Sequence, residues 1–299
     1  MKCFQCTLIY FALTSQVFAD AREKDFPEIR AMNWTTPTNI KLPVSGAIIT
    51  NLPGYVMVLG KYSQRLQELS DGTTLKGIEA MAVNPETGST IIFQWLPEGY
   101  VASDDWSQVD PNEFLTQMQK NDVASNVQRK QLGFPMMSTT GWRQTPKLNS
   151  NTHTVSWIID GQSSDGKRVI NAIALKLGRY GLERIAWIDD PETIGARNDL
   201  LLAENAFEFK QGARYDEYVA GTDRAAEYGI AGLVAGALGV KLLKATGGIA
   251  LLAGLKKFGF FLLVMPFIWI WGKIKSLFGG KTEKSAAPPA APPAARPDE

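Results

Sequence analysis

The chain has 299 residues, and its 31 Lys and Arg residues nearly balance its 30 Asp and Glu residues, which leaves a formal net charge of +1. This balance excludes the strong basic excess of a nucleic-acid-binding domain, so we expect no nucleic acid among its partners. The only cysteines are Cys3 and Cys6, so the rest of the chain has no thiol for a disulfide, a cysteine nucleophile or a cysteine-ligated metal.

Residues 1–19 have the pattern of a secretory signal peptide. Lys2 precedes a short apolar run at residues 8–13, and small residues lead to Ala19, as at a signal-peptidase cleavage site. The run is too short to span a bilayer, which argues against an N-terminal membrane anchor. We expect cleavage after Ala19, followed by an N-terminal extension over residues 20–50.

Residues 51–215 are expected to form the exported domain. Its first segments are a short β-type run, GYVMVL, an amphipathic helix in KYSQRLQELS and a strand in TIIFQWL. The next segment, DPNEFLTQMQKNDVASNVQRKQLGFP, is typical of a helix, because Asp110 can cap its N-terminus and Pro111 suits the first helical position. Gly133 and Pro135 mark its end.

Three strand patterns follow, in HTVSWIID, RVINAIALKLG and LERIAWID. We expect Trp157 and Trp187 of these runs, and Trp95 of TIIFQWL, in the core. Short turns separate the strands, one of them at Asp165 and Gly166, so neighbours must pair in antiparallel fashion. A second helix is expected to begin at Asp190, and the short strand FEFK closes the domain. This arrangement predicts an α+β fold with a largely antiparallel sheet and flanking helices. The order of elements resembles the α/β/α sandwich of the Mog1/PsbP-like group.

Three stretches carry a family resemblance: GYVASDDWSQVDPNEFLTQMQ at 99–119, the pair Gly141 and Trp142, and YVAGTDRAAEYGIAGLVAG at 218–236. They resemble a bacterial family of predicted membrane-anchored proteins without an assigned function, and the similarity extends over residues 52–278. The resemblance implies an exported α+β domain followed by a C-terminal membrane segment, and it implies no catalytic residues. That family often has a longer acidic turn after GYV, of which Asp104 and Asp105 remain here.

Candidate catalytic residues are few. His153 is the single histidine, and a zinc site would need further histidine or cysteine ligands. Near a strand start and without a surrounding motif, it is better explained by structural hydrogen bonds than by a catalytic role. Asp104 and Asp105 could act as paired carboxylates, but adjacent residues on a strand point to opposite faces, and Asp105 could cap a turn at Trp106. We predict no catalytic residue, metal site or cofactor. The alternative is an envelope-acting enzyme that uses Asp104, Asp105 or His153.

Residues 216–278 are expected to form a membrane anchor. From 229 to 278 the chain has six lysines and no acidic residue, and one helix of that length would far exceed a hydrocarbon core of about 30 Å. Lysine is unfavourable at the bilayer centre, so the lysines divide the segment into apolar blocks at 229–240 and 258–271. We favour a two-helix hairpin with a basic cytoplasmic loop. The alternative is one pass through the second block, with the first block in the interface or packed on the domain.

The first block also has a candidate helix-packing face, formed by four glycines that share one side of a helix: Gly229, Gly232, Gly236 and Gly239. Small residues on one face allow two membrane helices to approach closely, so another membrane protein could dock there. The last residues, 279–299, are rich in Pro and Ala and are expected to form a disordered tail.

These features predict a protein of the bacterial inner membrane whose main domain faces the periplasm. We expect two kinds of partner, the lipid bilayer and an unidentified envelope or membrane protein. The predicted function is non-enzymatic, either binding of that partner or an accessory role in the envelope.

Overall fold

The strand and helix patterns of the chain become ten strands and five α-helices in the part that the computed structural model describes, residues 26–71, 75–131, 135–192 and 194–240. The strands are β1 (Thr38–Lys41), β2 (Ile48–Asn51), β3 (Val56–Leu59), β4 (Ile78–Val83), β5 (Thr90–Leu96), β6 (Met137–Asn149), β7 (Thr154–Ser163), β8 (Arg168–Leu177), β9 (Leu182–Asp189) and β10 (Phe207–Glu208). The helices are α1 (Phe26–Ala31), α2 (Lys61–Asp71), α3 (Pro111–Gln131), α4 (Asp199–Ala206) and α5 (Ile230–Ala237). The predicted signal peptide at 1–19 and the predicted tail at 279–299 lie outside the described residues.

The main sheet has seven antiparallel strands in the order β3-β4-β5-β9-β8-β7-β6. Strands β6 to β9 follow one another as a meander, because their short turns permit only antiparallel pairing. Strand β9 then pairs with β5, which joins the meander to the earlier strands β3 and β4. The sheet and its helices confirm the predicted α+β class with a largely antiparallel sheet.

Both faces of the main sheet are covered, which explains why its central strands are apolar on both sides. One face packs against α2, α3 and α5, with Phe114, Leu233 and Trp157 in a shared core cluster. The other face packs against α4 and a second sheet of order β1-β2-β10, with Ile49 and Trp187 in its cluster. Trp157 and Trp187 are each 1 % exposed, as the sequence predicts, whereas Trp95 is only partly buried against the second cluster.

Helix α3 has the start that the sequence predicts. Oδ1 of Asp110 accepts hydrogen bonds from the backbone N–H groups of Asn112 (3.0 Å) and Glu113 (3.2 Å). These bonds satisfy two of the donors that the first turn of a helix leaves unpaired. Phe114 and Met118 are buried on its inner face, one turn apart. The cap and the buried face together fix α3 against the main sheet.

The helix that was expected at Asp190 begins instead at Asp199, so this prediction was wrong. Oδ1 of Asp190 accepts a hydrogen bond from the N–H of Glu192 at 2.9 Å, which forms a tight turn. The N-cap of α4 is Asn198, whose side chain accepts from the N–H of Leu201 at 3.0 Å. An Asp-Pro pair starts turns as readily as helices, and the local sequence does not decide between them.

The predicted N-terminal extension at 20–50 contributes strands to the domain. Strand β2 pairs with β1 and also with β10, which lies in the predicted strand FEFK. Leu42, Ala47 and Ile49 are buried in the cluster on this face of the main sheet. The boundary that was expected at residue 51 therefore lies further towards the N-terminus, because the second sheet buries its apolar side chains against the main sheet.

The first apolar block of the predicted anchor, 229–240, contains α5. Every residue of α5 is buried, and Ile230, Leu233 and Val234 belong to the core cluster shared with α2 and α3. The structure differs here from the predicted two-helix hairpin, because residues buried in a domain core are not available to span a bilayer. The second block, 258–271, lies outside the described residues. Within the described ranges, no helix is both long enough and apolar enough to cross a membrane.

Candidate functional site

A cavity of about 50 Å³ lies between the main sheet and two of the helices that cover it. Strands β7, β8 and β9 contribute Trp157, Asn171 and Arg184 to its lining. The rest of the lining comes from α3, from β6 and from Ala237 and Leu238 at the end of α5. The interior around it is apolar, so the polar side chains gathered here require an explanation.

Two polar side chains of this lining fasten α3 to β6, the edge strand of the sheet. Asn126 accepts a hydrogen bond from the N–H of Met137 (2.7 Å) and donates through Nδ2 to the carbonyl of Met137 (2.8 Å). Asp122 accepts from the N–H of Thr139 (2.7 Å) and from its hydroxyl (3.3 Å). These bonds satisfy backbone groups that an edge strand would otherwise leave unpaired. Asp122 and Asn126 therefore have a structural role.

Three other buried atoms of the lining side chains have no hydrogen-bond partner among the described residues: Nη1 of Arg129, Nε1 of Trp157 and Oδ1 of Asn171. Arg129 is 3 % exposed, and its Nε donates to the carbonyl of Pro135 at 2.7 Å. Leaving a buried donor or acceptor unsatisfied costs roughly 1–3 kcal/mol, and more for a charged group. Three such atoms around one cavity need an explanation, for which a bound water and a ligand are the usual candidates.

The cavity has an excess of positive charge. Burial lowers the pKa of Arg129 to about 10 and the pKa of Arg184 to about 9, so both guanidinium groups stay protonated at neutral pH. Arg184 also donates through Nη1 to Oε1 of Gln94 at 3.4 Å. Asp122 supplies the one carboxylate of the lining. Burial raises the pKa of Asp122, and the hydrogen bonds from Thr139 oppose that rise.

The predicted acidic pair does not converge on a site. Asp104 is exposed, whereas Oδ1 of Asp105 accepts a hydrogen bond from the N–H of Ala231, in the first turn of α5, at 3.1 Å. The expected cap at Trp106 was wrong, since the side chain of Asp105 makes no cap bond to the 3-10 turn that begins there. A carboxylate at the N-terminus of a helix satisfies an unpaired N–H and interacts favourably with the helix dipole. Asp105 is therefore a residue that holds α5.

His153 has the contacts of a structural residue. Its ring stacks on Tyr215 with centroids 4.3 Å apart, and its Nε2 lies 2.9 Å from Oδ1 of Asp216. Tyr215 stacks in turn on Tyr100 (4.5 Å), and Tyr100 stacks on Tyr218 (3.8 Å). This row of four rings joins the turn before β7 to the segment that leads to α5.

The four glycines of the candidate helix-packing face lie at α5, within the domain. Gly232 and Gly236 are buried, and a side chain at Gly229 would meet the carboxylate of Asp105. The carbonyl of Gly239 accepts a hydrogen bond from Nδ2 of Asn121 on α3 at 2.8 Å. Their small size therefore permits close packing inside the domain, whereas the sequence predicted a contact between membrane helices.

Two polar residues inside apolar strands mark the cavity in the sequence, and neither belongs to a predicted site. Asn171 interrupts the apolar run of β8, and Arg184 interrupts that of β9. A polar residue inside a strand that is apolar on both faces needs a buried partner. Spacing in the sequence could not show that Arg129, which lies on a helix far away along the chain, lines the same cavity.

Among the described residues, no group of three or more His, Cys, Asp or Glu side chains is placed to hold a metal ion.

Comparison with known families matches residues 34–268 to a family described as "Protein of unknown function (DUF2167)". The chain belongs to this family. The predicted resemblance to a family without an assigned function is confirmed to that extent, and the membrane anchor that it implied stays a prediction. No curated protein matches the chain.

Among solved structures, the chain is similar to the solution structure of cyanobacterial PsbP (CyanoP) from Synechocystis sp. PCC 6803. The identity is 8 %, the match covers 60 % of this chain and 92 % of that chain, and the TM-score is 0.33. A similarity of this size carries no argument about function or detailed topology. The Mog1/PsbP-like sandwich therefore stays a prediction, and the α+β class rests on the sheet and helices described above.

Proposed function

We propose that this member of the DUF2167 family is a membrane-anchored binding protein whose domain lies outside the cytoplasm, and that the cavity beneath α3 and α5 is its ligand site. The observation that carries the proposal is the set of buried, unsatisfied polar atoms of Arg129, Trp157 and Asn171 around one cavity. Native proteins keep few such atoms, and those they keep usually serve a ligand or a bound water.

The polar groups of the cavity favour binding over catalysis. The one hydroxyl beside Asp122 on α3, that of Ser125, donates to the carbonyl of Asn121 at 3.1 Å. The carboxylate of Asp122 is held by Thr139. A nucleophile and a base that act together need a hydrogen bond to each other, and these two groups bond to the backbone and to β6 instead.

The alternative of an envelope-acting enzyme that uses Asp104, Asp105 or His153 has less support. Asp105 holds α5, and His153 contacts Tyr215 and Asp216. Within the described residues, the cavity lining includes none of the three candidate catalytic side chains. Catalysis by this set would therefore need a second, separate pocket for the substrate.

The proposed location rests on segments outside the described residues. The signal-like residues 1–19 and the apolar block 258–271 support export followed by anchoring. Because α5 packs in the domain, we infer a single pass through the block 258–271. The basic residues Lys273 and Lys275 then lie on the cytoplasmic side of the bacterial inner membrane. An envelope or membrane protein is the proposed macromolecular partner.

The ligand site can be tested on the full-length chain purified in detergent. Mixtures of envelope metabolites would be screened for an increase in melting temperature, and native mass spectrometry would identify any bound compound. We expect at least one stabilising compound for the wild-type chain, loss of its effect in Asn171→Leu, and retention in Asn151→Ala, an exposed control. If no compound binds the wild-type chain, the cavity is a packing feature and the proposed ligand site is wrong.

A further inference from the structure

The unsatisfied atoms of the cavity show which ligand chemistry it would take. Nη1 of Arg129 and Nε1 of Trp157 are donors, and neither group can accept a hydrogen bond. The third atom, Oδ1 of Asn171, is an acceptor. Rotation of the side-chain amide by 180° would put its nitrogen, a donor, in the same place. Two of the three atoms therefore require an acceptor from the ligand, and the third accommodates either kind of group.

The charges favour an anion. Arg129 and Arg184 are 3 % and 1 % exposed, so bulk water screens their charges poorly. Asp122 is the carboxylate that opposes them, and its oxygens accept hydrogen bonds from Thr139. Asn126 and Ser125 are neutral and bond to β6 and to the helix backbone. Arg129 makes no ion pair with a carboxylate of the described residues, so a monoanion would supply the opposite charge that its guanidinium group lacks there.

The size of the cavity limits the anion to a few atoms. At about 50 Å³ it has room for roughly three or four water-sized groups. This volume excludes nucleotides, sugar phosphates and peptides. A guanidinium group pairs with carboxylates and phosphates alike through two parallel hydrogen bonds, so size decides between them. Formate, acetate and hydrogen carbonate have three or four heavy atoms, whereas sulfate and phosphate have five, and the cavity favours the smaller, planar anions.

We propose that the cavity binds a small planar oxyanion, a short carboxylate or hydrogen carbonate, with Arg129 and Trp157 as its hydrogen-bond donors. This inference rests on the proposed ligand site, and it does not depend on the membrane anchor. The bound anion contacts residues of α3 and of the main sheet beside the end of α5. The anion would therefore satisfy buried donors of α3 and of the main sheet at the place where both pack against the end of α5.

Calorimetric titration of the full-length chain in detergent at constant ionic strength would test the proposal. Formate, acetate and hydrogen carbonate are the planar probes, and sulfate and phosphate are the tetrahedral controls. We expect saturable binding of at least one planar anion and a preference over both tetrahedral anions. Binding of formate or acetate alone identifies a carboxylate ligand, and binding of hydrogen carbonate alone identifies inorganic carbon.

Matched variants separate this site from general anion binding. We expect Arg129→Met to weaken binding at least about tenfold, because it removes a charge-assisted bond. Trp157→Phe keeps the ring and loses the donor, so we expect a loss of several-fold. Arg168→Met removes an exposed arginine and should change nothing. Without ligand, Arg129→Met should melt at a higher temperature than the wild-type chain, because it removes a buried guanidinium group that makes no ion pair among the described residues.

The outcomes distinguish this inference from the proposed function. If the metabolite screen finds an uncharged or cationic ligand that depends on Asn171, the ligand site stands and the oxyanion inference is wrong. If planar anions bind equally to the wild-type chain and to Arg129→Met, the inference is also wrong. If neither the screen nor the titrations show any binding, both proposals fall.

Discussion

Asp105 and Gly229 form a contact that decides how α5 begins. Oδ1 of Asp105 accepts the hydrogen bond from Ala231, and a side-chain carbon at Gly229 would lie 2.6 Å from that same oxygen. The φ of Gly229 is −85°, which any residue can adopt, so the requirement for glycine is one of space and not of backbone strain. The acidic residue and the glycine come from two stretches that the sequence links only through a family resemblance.

We predict that Asp105→Ala lowers the free energy of unfolding by about 1–2 kcal/mol, as expected for loss of a helix cap. Gly229→Ala should have a similar effect, because the new methyl group displaces the carboxylate. The double variant should lose little more than either single variant, since both remove the same hydrogen bond. The losses would be measured by thermal unfolding monitored through tryptophan fluorescence, with Asp104→Ala as the exposed control. Strict additivity of the two losses would contradict the shared contact.

Two acidic side chains, Glu79 and Glu183, are buried together on the face of the sheet that carries α4. Glu79 accepts hydrogen bonds from Ser45 and from the N–H of Val44, at distances of 2.6–2.9 Å. Complete burial raises the pKa of Glu183 well above its usual value of 4.5, and repulsion from the neighbouring Glu79 raises it further. Both carboxyl oxygens of Glu183 are without a hydrogen-bond partner among the described residues, so burial and repulsion favour its neutral form.

This pair predicts a specific pH dependence of stability. Because the pKa of Glu183 is raised in the folded state, its contribution is fully present below the unfolded pKa of about 4.5 and is lost as pH rises through the folded pKa. Glu183→Gln keeps a donor without a titrating proton. With this substitution, the free energy of unfolding should fall less steeply as pH rises, by at most about 1.4 kcal/mol per pH unit. At alkaline pH the variant should therefore unfold at a higher temperature than the wild-type chain.

Glu204→Gln is the matched control for this titration. Burial raises the pKa of Glu204 to about 7, and the nearby Lys176 opposes the rise. The effect of Glu204→Gln on stability should therefore be confined to the pH range between about 4.5 and 7. Melting temperatures of the wild-type chain and of the two variants would be measured from pH 4 to 9. Identical profiles for the wild-type chain and Glu183→Gln would show that Glu183 titrates normally.

At the scale of the elements, α5 decides where the domain ends. It buries four large apolar side chains against the helices and the sheet: Ile230, Leu233, Val234 and Leu238. Burial of one such side chain contributes about 1.5–3 kcal/mol. The total is comparable with the entire stability of an ordinary domain, about 5–15 kcal/mol. We therefore expect the domain to need residues beyond the predicted boundary at 215 in order to fold.

Truncation tests this boundary directly. We predict that a chain ending at Val240 is soluble and unfolds cooperatively, whereas a chain ending at Tyr228 aggregates, because its core is exposed where α5 packs. Soluble yield and near-ultraviolet circular dichroism are the measurements. A chain ending at Tyr228 with the same melting temperature as the longer chain would show that α5 does not belong to the domain.

At the scale of the whole molecule, the position of α5 changes the expected membrane topology. The proposed single pass through the apolar block 258–271 would place the tail in the cytoplasm. We predict that alkaline phosphatase is active when fused after Val240 and inactive when fused after Glu299. A cytoplasmic reporter, β-galactosidase, should show the reverse pattern. Alkaline phosphatase that is inactive after Val240 and active after Glu299 would favour the two-helix hairpin, because its loop is cytoplasmic and its tail is periplasmic.

The sequence predicted those elements whose signals are local. Helix α3 was identified from Asp110, Pro111 and Gly133, because caps and breakers act within one turn of the chain. Strands β7, β8 and β9 of the meander were identified from apolar runs and short turns, which permit only antiparallel pairing, and β10 was predicted as the short strand FEFK. The edge strand β6 and strands β1 and β2 were missed, because polar or short strands become visible only when their partners are known.

By itself, then, the sequence determined the α+β class, the antiparallel meander and the main helix. The tertiary structure decided the role of the block 229–240, because a bilayer and a domain core both remove apolar side chains from water and select the same residues. It also decided the candidate site. Arg129, Trp157 and Asn171 come from a helix and two strands, and only their packing around one cavity shows that they share unsatisfied hydrogen bonds.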